Sequence, residues 1–190
     1  MLRSTVVSFA AAVTMAAVSP AALAALEVGA KAPDFTTDAA LAGKPFRFAL
    51  ADALKRGPVV LFFFPKAFTS GCTVEAHQFA EATPQFQKLG ATVIGVSNDD
   101  LPTLQRFSSE ACRDKFAVAS DADSRVIRAY DAKIAFMPGM AKRVSFVIGR
   151  DGRVAYVYES LDPDQHVANT MKAVERLAAP AGSAAAAAQR

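Results

Sequence analysis

The sequence predicts an α/β fold in which a central mixed β-sheet carries helices on both faces. Three stretches carry that expectation. Val59 to Phe64 (VVLFFF) is six apolar residues in a row, β-branched and aromatic, bounded by Gly57-Pro58 and Pro65. Its length and flanks suit a strand covered on both sides better than a buried helix. Beyond it, Phe79, Ala82, Phe86 and Leu89 recur at helical spacing up to Gly90, and Ala91 to Ser97 (ATVIGVS) is a second buried strand. Strand, helix and strand within about forty residues form a βαβ unit, with parallel pairing and a right-handed crossover. Finally, Val144 to Ile148 and Val154 to Glu159 alternate about Asp151-Gly152, which is an antiparallel hairpin signal.

In chain order, residues 1–24 read as a targeting segment. Arg3 is the only charge before Glu27, Val6 to Val18 is an apolar core, Ser19-Pro20 breaks it, and Ala22-Leu23-Ala24 supplies an A-x-A cleavage site. Thirteen Ala-rich residues fall short of the ~20 that span a bilayer, so no stable membrane anchor is expected. Cleavage after Ala24 would leave 166 residues and a formal net charge of +2 instead of +3. A periplasmic or secreted location follows. One domain over 25–177 is expected, then a low-complexity tail over 178–190, AAPAGSAAAAAQR from Ala178. The mature charges are interspersed, so nucleic acid is not an expected partner.

Leu26 to Asp34 and Lys44 to Leu50 read as an opening strand region and a hairpin, turning at Ala42-Gly43-Lys44. Ala51 to Arg56 suits one short helical turn. Pro84 lies inside the long helical pattern and should kink it. Asn98-Asp99-Asp100 caps a helix with Leu101, Leu104, Phe107 and Ala111 on its apolar side. Phe116 to Ala119 reads as a short strand and Asp121 to Asp131 as another capped helix. Ile134 to Lys142 reads as a loop whose Phe136, Met137 and Met140 pack. Asp162 to Leu177 is the closing amphipathic helix.

The chemistry concentrates where the first buried strand meets its helix. Thr69, Ser70 and Gly71 are cap-type residues, so Cys72 falls in the first helical turn. The unpaired N–H groups and the dipole of that turn favour an anion there. A free thiol titrates near ~8.5, and a helix N-terminus or a cation lowers this to roughly 3.5–7.5. A small apolar cysteine that merely packs at the junction is the alternative on local grounds.

Pro65-Lys-Ala-Phe-Thr69-Ser-Gly-Cys72 has the form P-x-x-x-T-x-x-C, and Thr73-Val-Glu75 continues it. This resembles the peroxiredoxin active site, most nearly that of the peroxiredoxin Q, or bacterioferritin comigratory, group, and the resemblance runs from Val28 to Leu177. Ser70 departs from it, standing where proline is expected. The resemblance implies a thioredoxin-like fold and a peroxidase that reduces hydrogen peroxide or organic hydroperoxides. Cys72 would become a sulfenic acid, re-reduced by a thioredoxin-like dithiol or another thiol, in a monomer or homodimer without a cofactor. Thr69 would hold the peroxide and Pro65 would shield the pocket from water. Arg143 opens Arg143-Val-Ser-Phe-Val-Ile148, similar to the family's R-x-[TS]-F-x-I strand. It would stand beside the thiolate, with Glu75 orienting it.

His77 stands five residues after Cys72, where many Q-type members have a second cysteine. Some keep a resolving cysteine on the next helix, nearer Phe107, and the resemblance extends that role to Cys112. Eight residues after Leu104, Cys112 lies on the edge of the apolar face, so partial exposure is expected. An inert packed thiol and a permanent structural disulfide are the alternatives. Two other classes compete at this point. A thiol–disulfide exchange protein would normally carry C-x-x-C, and Ser70-Gly-Cys72-Thr has one cysteine. A copper-binding module would want paired thiolates and a histidine, and His77 and His166 have no partner at metal spacing, so no metal is expected.

Overall fold

The computed structural model describes residues 26–179, Pro138 excepted. The expected leader over 1–24 and nearly all of the tail lie outside the described residues. Seven strands form one sheet: β1 Thr36–Leu41, β2 Lys44–Ala49, β3 Val59–Phe63, β4 Thr92–Ser97, β5 Ala117–Ser120, β6 Val144–Ile148 and β7 Val154–Glu159. The helices are α1 Leu50–Arg56, α2 Ser70–Lys88, α3 Leu101–Glu110, α4 Arg125–Ala129 and α5 His166–Ala178, the last entered by a 3-10 turn at Pro163–Gln165. The spatial order is β2-β1-β5-β4-β3-β6-β7. β4 runs parallel to β3 and β5, while β6 runs antiparallel to β3 and β7, so the sheet is mixed as expected.

β3 sits inside the sheet and is buried along its whole length, which explains its unbroken apolar run. Its side chains alternate between two cores. Val59, Leu61 and Phe63 join Leu50, Ala53, Val126 and Ile127, from the α1 and α4 side. Val60, Phe62 and Phe64 join Phe79, Leu104, Phe107 and Val174, from α2, α3 and α5. Phe62 stacks on Phe79 with ring centroids 4.3 Å apart, fixing the middle of α2 against the sheet.

Several expectations need correction. The hairpin turns at Ala42 and Gly43 as expected, both at positive φ, but its first strand is β1. Leu26 to Asp34 is not a strand: it makes one bridge, Lys31 to Arg153, and is held by Gly29 N–H to Val154 O at 2.7 Å and by Tyr130 Oη to Pro33 O at 2.8 Å. One of the other helices differs from expectation: α4 is only five residues long, and the Asp121 carboxylate caps it from a distance by accepting from Val126 N–H and Ile127 N–H. Pro84 lies inside α2, as the sequence placed it. In the loop before β6, Phe136 and Met137 do not pack; they are 94% and 52% exposed.

Candidate active site

At the end of β3 the chain turns through Pro65, half-buried, into the 66–69 loop. Asp99, buried just after β4, anchors that loop. Its Oδ2 accepts from Ala67 N–H at 2.8 Å and from Ser97 Oγ at 2.9 Å, and its Oδ1 pairs with Lys66 Nζ at 2.5 Å. Phe68 is left-handed, at φ 64°, and lays its ring edge-on against Phe107 at 5.2 Å, with the Arg106 guanidinium over it at 5.1 Å. The loop is therefore tied down on two sides before it delivers Thr69 to the N-cap of α2.

Thr69 takes the N-cap position without the side-chain bond of a cap. Its Oγ1 donates instead to Lys66 O at 3.0 Å, leaving an exposed hydroxyl oxygen at the mouth of the site. Cys72 is the third residue of α2 and 2% exposed. Arg143, at the start of β6 and 6% exposed, reaches it across the sheet end: Nη2 lies 3.5 Å from Cys72 Sγ. The same guanidinium donates through Nε to Leu161 O at 3.0 Å and through Nη1 to Gly71 O at 3.5 Å and Glu75 Oε2. A side chain at Gly71 would crowd it, since an added Cβ would stand 3.0 Å from Nη2.

Glu75, one turn along from Cys72, is fully buried. Burial pushes its carboxyl up to about 7, against the pull of Arg143. The six residues expected at the site separate into two groups. Cys72, Glu75 and Arg143 are brought into contact, and Pro65 and Thr69 bound the loop that leads to them. Cys112 stands apart. Partial exposure was expected there, but Cys112 is 0% exposed, in the turn that follows α3, with its N–H bonded to Phe107 O at 3.0 Å. Its neighbours Leu104, Phe107 and Phe116 belong to the same core cluster, and burial pushes its thiol well above the usual range. The helix ends at Glu110, so Cys112 lies in the turn beyond it, packed into this core, and not on the helical edge that was expected. Both cysteines are free thiols.

Sequence reasoning missed His166 and Ser145. His166 is 0% exposed at the start of α5, with Nδ1 2.8 Å from Ser145 Oγ and Nε2 3.0 Å from Ser160 O. It stands behind Glu75, with Nδ1 3.7 Å from Oε1. The signal was present only as a polar residue inside an apolar strand, Ser145, which the family-like motif accounted for without giving it a partner.

The arrangement can hold a thiolate, with a buried cation beside it and the positive end of a helix beneath it. Comparison with known proteins agrees. Residues 28–157 match the sequence model of the AhpC/TSA family. A chloroplast peroxiredoxin Q of rice, Oryza sativa subsp. japonica, is 30% identical over 150 residues, 78% of this chain and 67% of the relative. The crystal structure of peroxidoxin BcpB from Mycobacterium tuberculosis superposes with a TM-score of 0.70 at 31% identity, covering 80% of this chain and 98% of the other. The Xylella fastidiosa PrxQ structure, 24% identical with a TM-score of 0.71 over 81% of this chain and 98% of the other, shares the fold.

Proposed function

The chain belongs to the AhpC/TSA family and is a thiol-dependent peroxidase of the peroxiredoxin kind, and from that premise we propose how its own residues divide the work. Cys72 attacks the nearer oxygen of hydrogen peroxide or an organic hydroperoxide. The S–O bond forms as the O–O bond breaks, Cys72 becomes a sulfenic acid, and the leaving alkoxide or hydroxide takes a proton from solvent. Arg143 stabilises first the thiolate and then the charge developing on the departing oxygen. Thr69 orients the peroxide through its free hydroxyl oxygen, Pro65 shields the pocket, and Glu75 holds the guanidinium in place. The observation that carries this reading is the 3.5 Å contact between Arg143 Nη2 and Cys72 Sγ at a helix N-terminus.

Cys112 resolves the sulfenic acid: its thiol sulfur attacks Cys72, water leaves, and a disulfide forms. A thioredoxin-like dithiol then reduces that disulfide and is itself oxidised. Because both thiols are buried, this step requires the first turn of α2 and the turn after α3 to open. The mature protein is periplasmic or secreted, a reading that rests on the leader pattern of residues 1–24. It works as a monomer or homodimer.

The test is peroxide consumption by wild type and Cys72→Ser with a dithiol reductant. The variant should keep the fold by circular dichroism and lose turnover. Appreciable turnover in the variant overturns the assignment.

A further inference from the structure

Glu75 Oε2 is ion-paired with Arg143, but Oε1, equally buried, has no hydrogen-bond partner among the described residues. A carboxylate oxygen without a donor in a protein interior is costly. The group facing it is the His166 ring, Nδ1 at 3.7 Å. The tautomer of that ring follows from its partners. Ser160 O can only accept, so Nε2 carries the hydrogen, and in the neutral ring Nδ1 is bare and accepts from Ser145 Oγ. An ionised Oε1 would therefore face a ring nitrogen that has no hydrogen to give it, and a proton on Oε1 removes that unpaired charge.

We propose that His166 is a positioning residue for Cys72, acting through Glu75 and Arg143. The Glu75–His166 contact holds one proton in the neutral pH range, and while that proton is present Arg143 directs its charge to Cys72. When the proton leaves to solvent, the full carboxylate draws the guanidinium toward Glu75. The surrounding groups support a single proton at this contact. Around Glu75 stand Cys72 from α2, Arg143 just ahead of β6 and His166 from α5. Around His166 stand Ser145 from β6, Tyr158 from β7 with its ring edge-on at 4.8 Å, and Asp162 ahead of α5. Burial raises the Glu75 carboxyl and lowers the His166 imidazole, so the proton resides on Glu75 and the ring stays neutral.

The inference rests on Cys72 as nucleophile only for its effect on rate. The proton itself is read by NMR of the wild-type protein, with the Glu75 side-chain carboxyl carbon and the His166 ring nitrogens followed from about pH 5 to about pH 9. The Glu75 carboxyl should titrate near neutrality while His166 keeps its Nε2–H form. In His166→Gln, whose amide can donate to Oε1, that titration should move down by about one unit. The same variant should react with peroxide about threefold or more slowly at pH 6 to 7, where wild type still holds the proton. A Glu75 carboxyl fully ionised from about pH 5 upward overturns the proposal. So does a folded His166→Gln with wild-type titration and rate. If His166→Gln fails to fold, the wild-type titration alone decides.

Discussion

Arg143 is surrounded by acceptors: Leu161 O, Gly71 O, Glu75 Oε2 and Cys72 Sγ. Fixed on so many sides, the guanidinium is a preorganised charge, which is where an arginine differs from a lysine. Arg143→Met should slow the first reaction with peroxide by about tenfold or more, since the guanidinium that touches Cys72 Sγ is gone. The same change leaves the buried Glu75 carboxyl without its partner and more firmly protonated, so a stability loss of about 1–3 kcal/mol is expected. A single-turnover rate and a denaturant melt read the two effects, and an unchanged rate would remove Arg143 from the chemistry. Gly71→Ala makes a gentler version of the same test. Its methyl would push on Nη2 from 3.0 Å, so the reaction should slow while the Glu75 pairing survives. A wild-type rate in that variant would show that the guanidinium has room to spare.

α2 carries Cys72 at one end and is held to the sheet by Phe79, buried and stacked on Phe62. Phe79→Ala should cost about 3–5 kcal/mol and lower peroxidase activity in the fraction that remains folded, because the helix no longer seats its first turn against Arg143. A variant destabilised to that extent but fully active would place the rigidity of the site in the loop instead. Asp99 tests the loop directly. Asp99→Asn keeps the size but removes the buried charge that pairs with Lys66 and accepts from Ala67 N–H and Ser97 Oγ, and should lower both the melting temperature and the peroxidase rate. Elements with a strong local pattern were legible in the sequence. β3 showed itself as six apolar residues because both its faces are covered, and the β6–β7 hairpin because its turn residues permit little else. Other features depended on partners distant in sequence. Leu26 to Asp34 looks extended but is held by Val154 and Tyr130 rather than by a neighbouring strand. Phe136 and Met137 are apolar by type, and only the fold could show that no surface covers them. The site was legible through Cys72, Glu75 and Arg143, since a motif fixes all three. His166 was not, because it meets Glu75 from a helix 91 residues further along the chain and no local pattern records that meeting.

For the molecule as a whole, the buried cluster makes stability depend on pH in a defined direction. The Glu75 carboxyl is raised from 4.5 to about 7, so its contribution is complete below the unfolded value and is lost as pH rises through about 7. His166, lowered from 6.5, acts in the opposite sense, losing its contribution as pH falls through its depressed value. Glu75→Gln removes the first effect and keeps the second. The melting temperature of wild type should therefore fall relative to that variant between about pH 5 and about pH 8. Parallel curves would mean that Glu75 is ionised throughout.

The central claim is that peroxide oxidises Cys72, and the proposed second step draws Cys112 out of a sealed core. Intact mass spectrometry of the reduced protein after one equivalent of peroxide reads this directly. Wild type should lose two hydrogens and regain them with a dithiol, Cys112→Ser should gain one oxygen, and Cys72→Ser should keep its mass. Wild type that gains one oxygen and forms no disulfide would leave Cys72 as nucleophile and strike Cys112 from the mechanism. Wild type that keeps its mass, or Cys72→Ser that is oxidised as readily, would contradict the central claim.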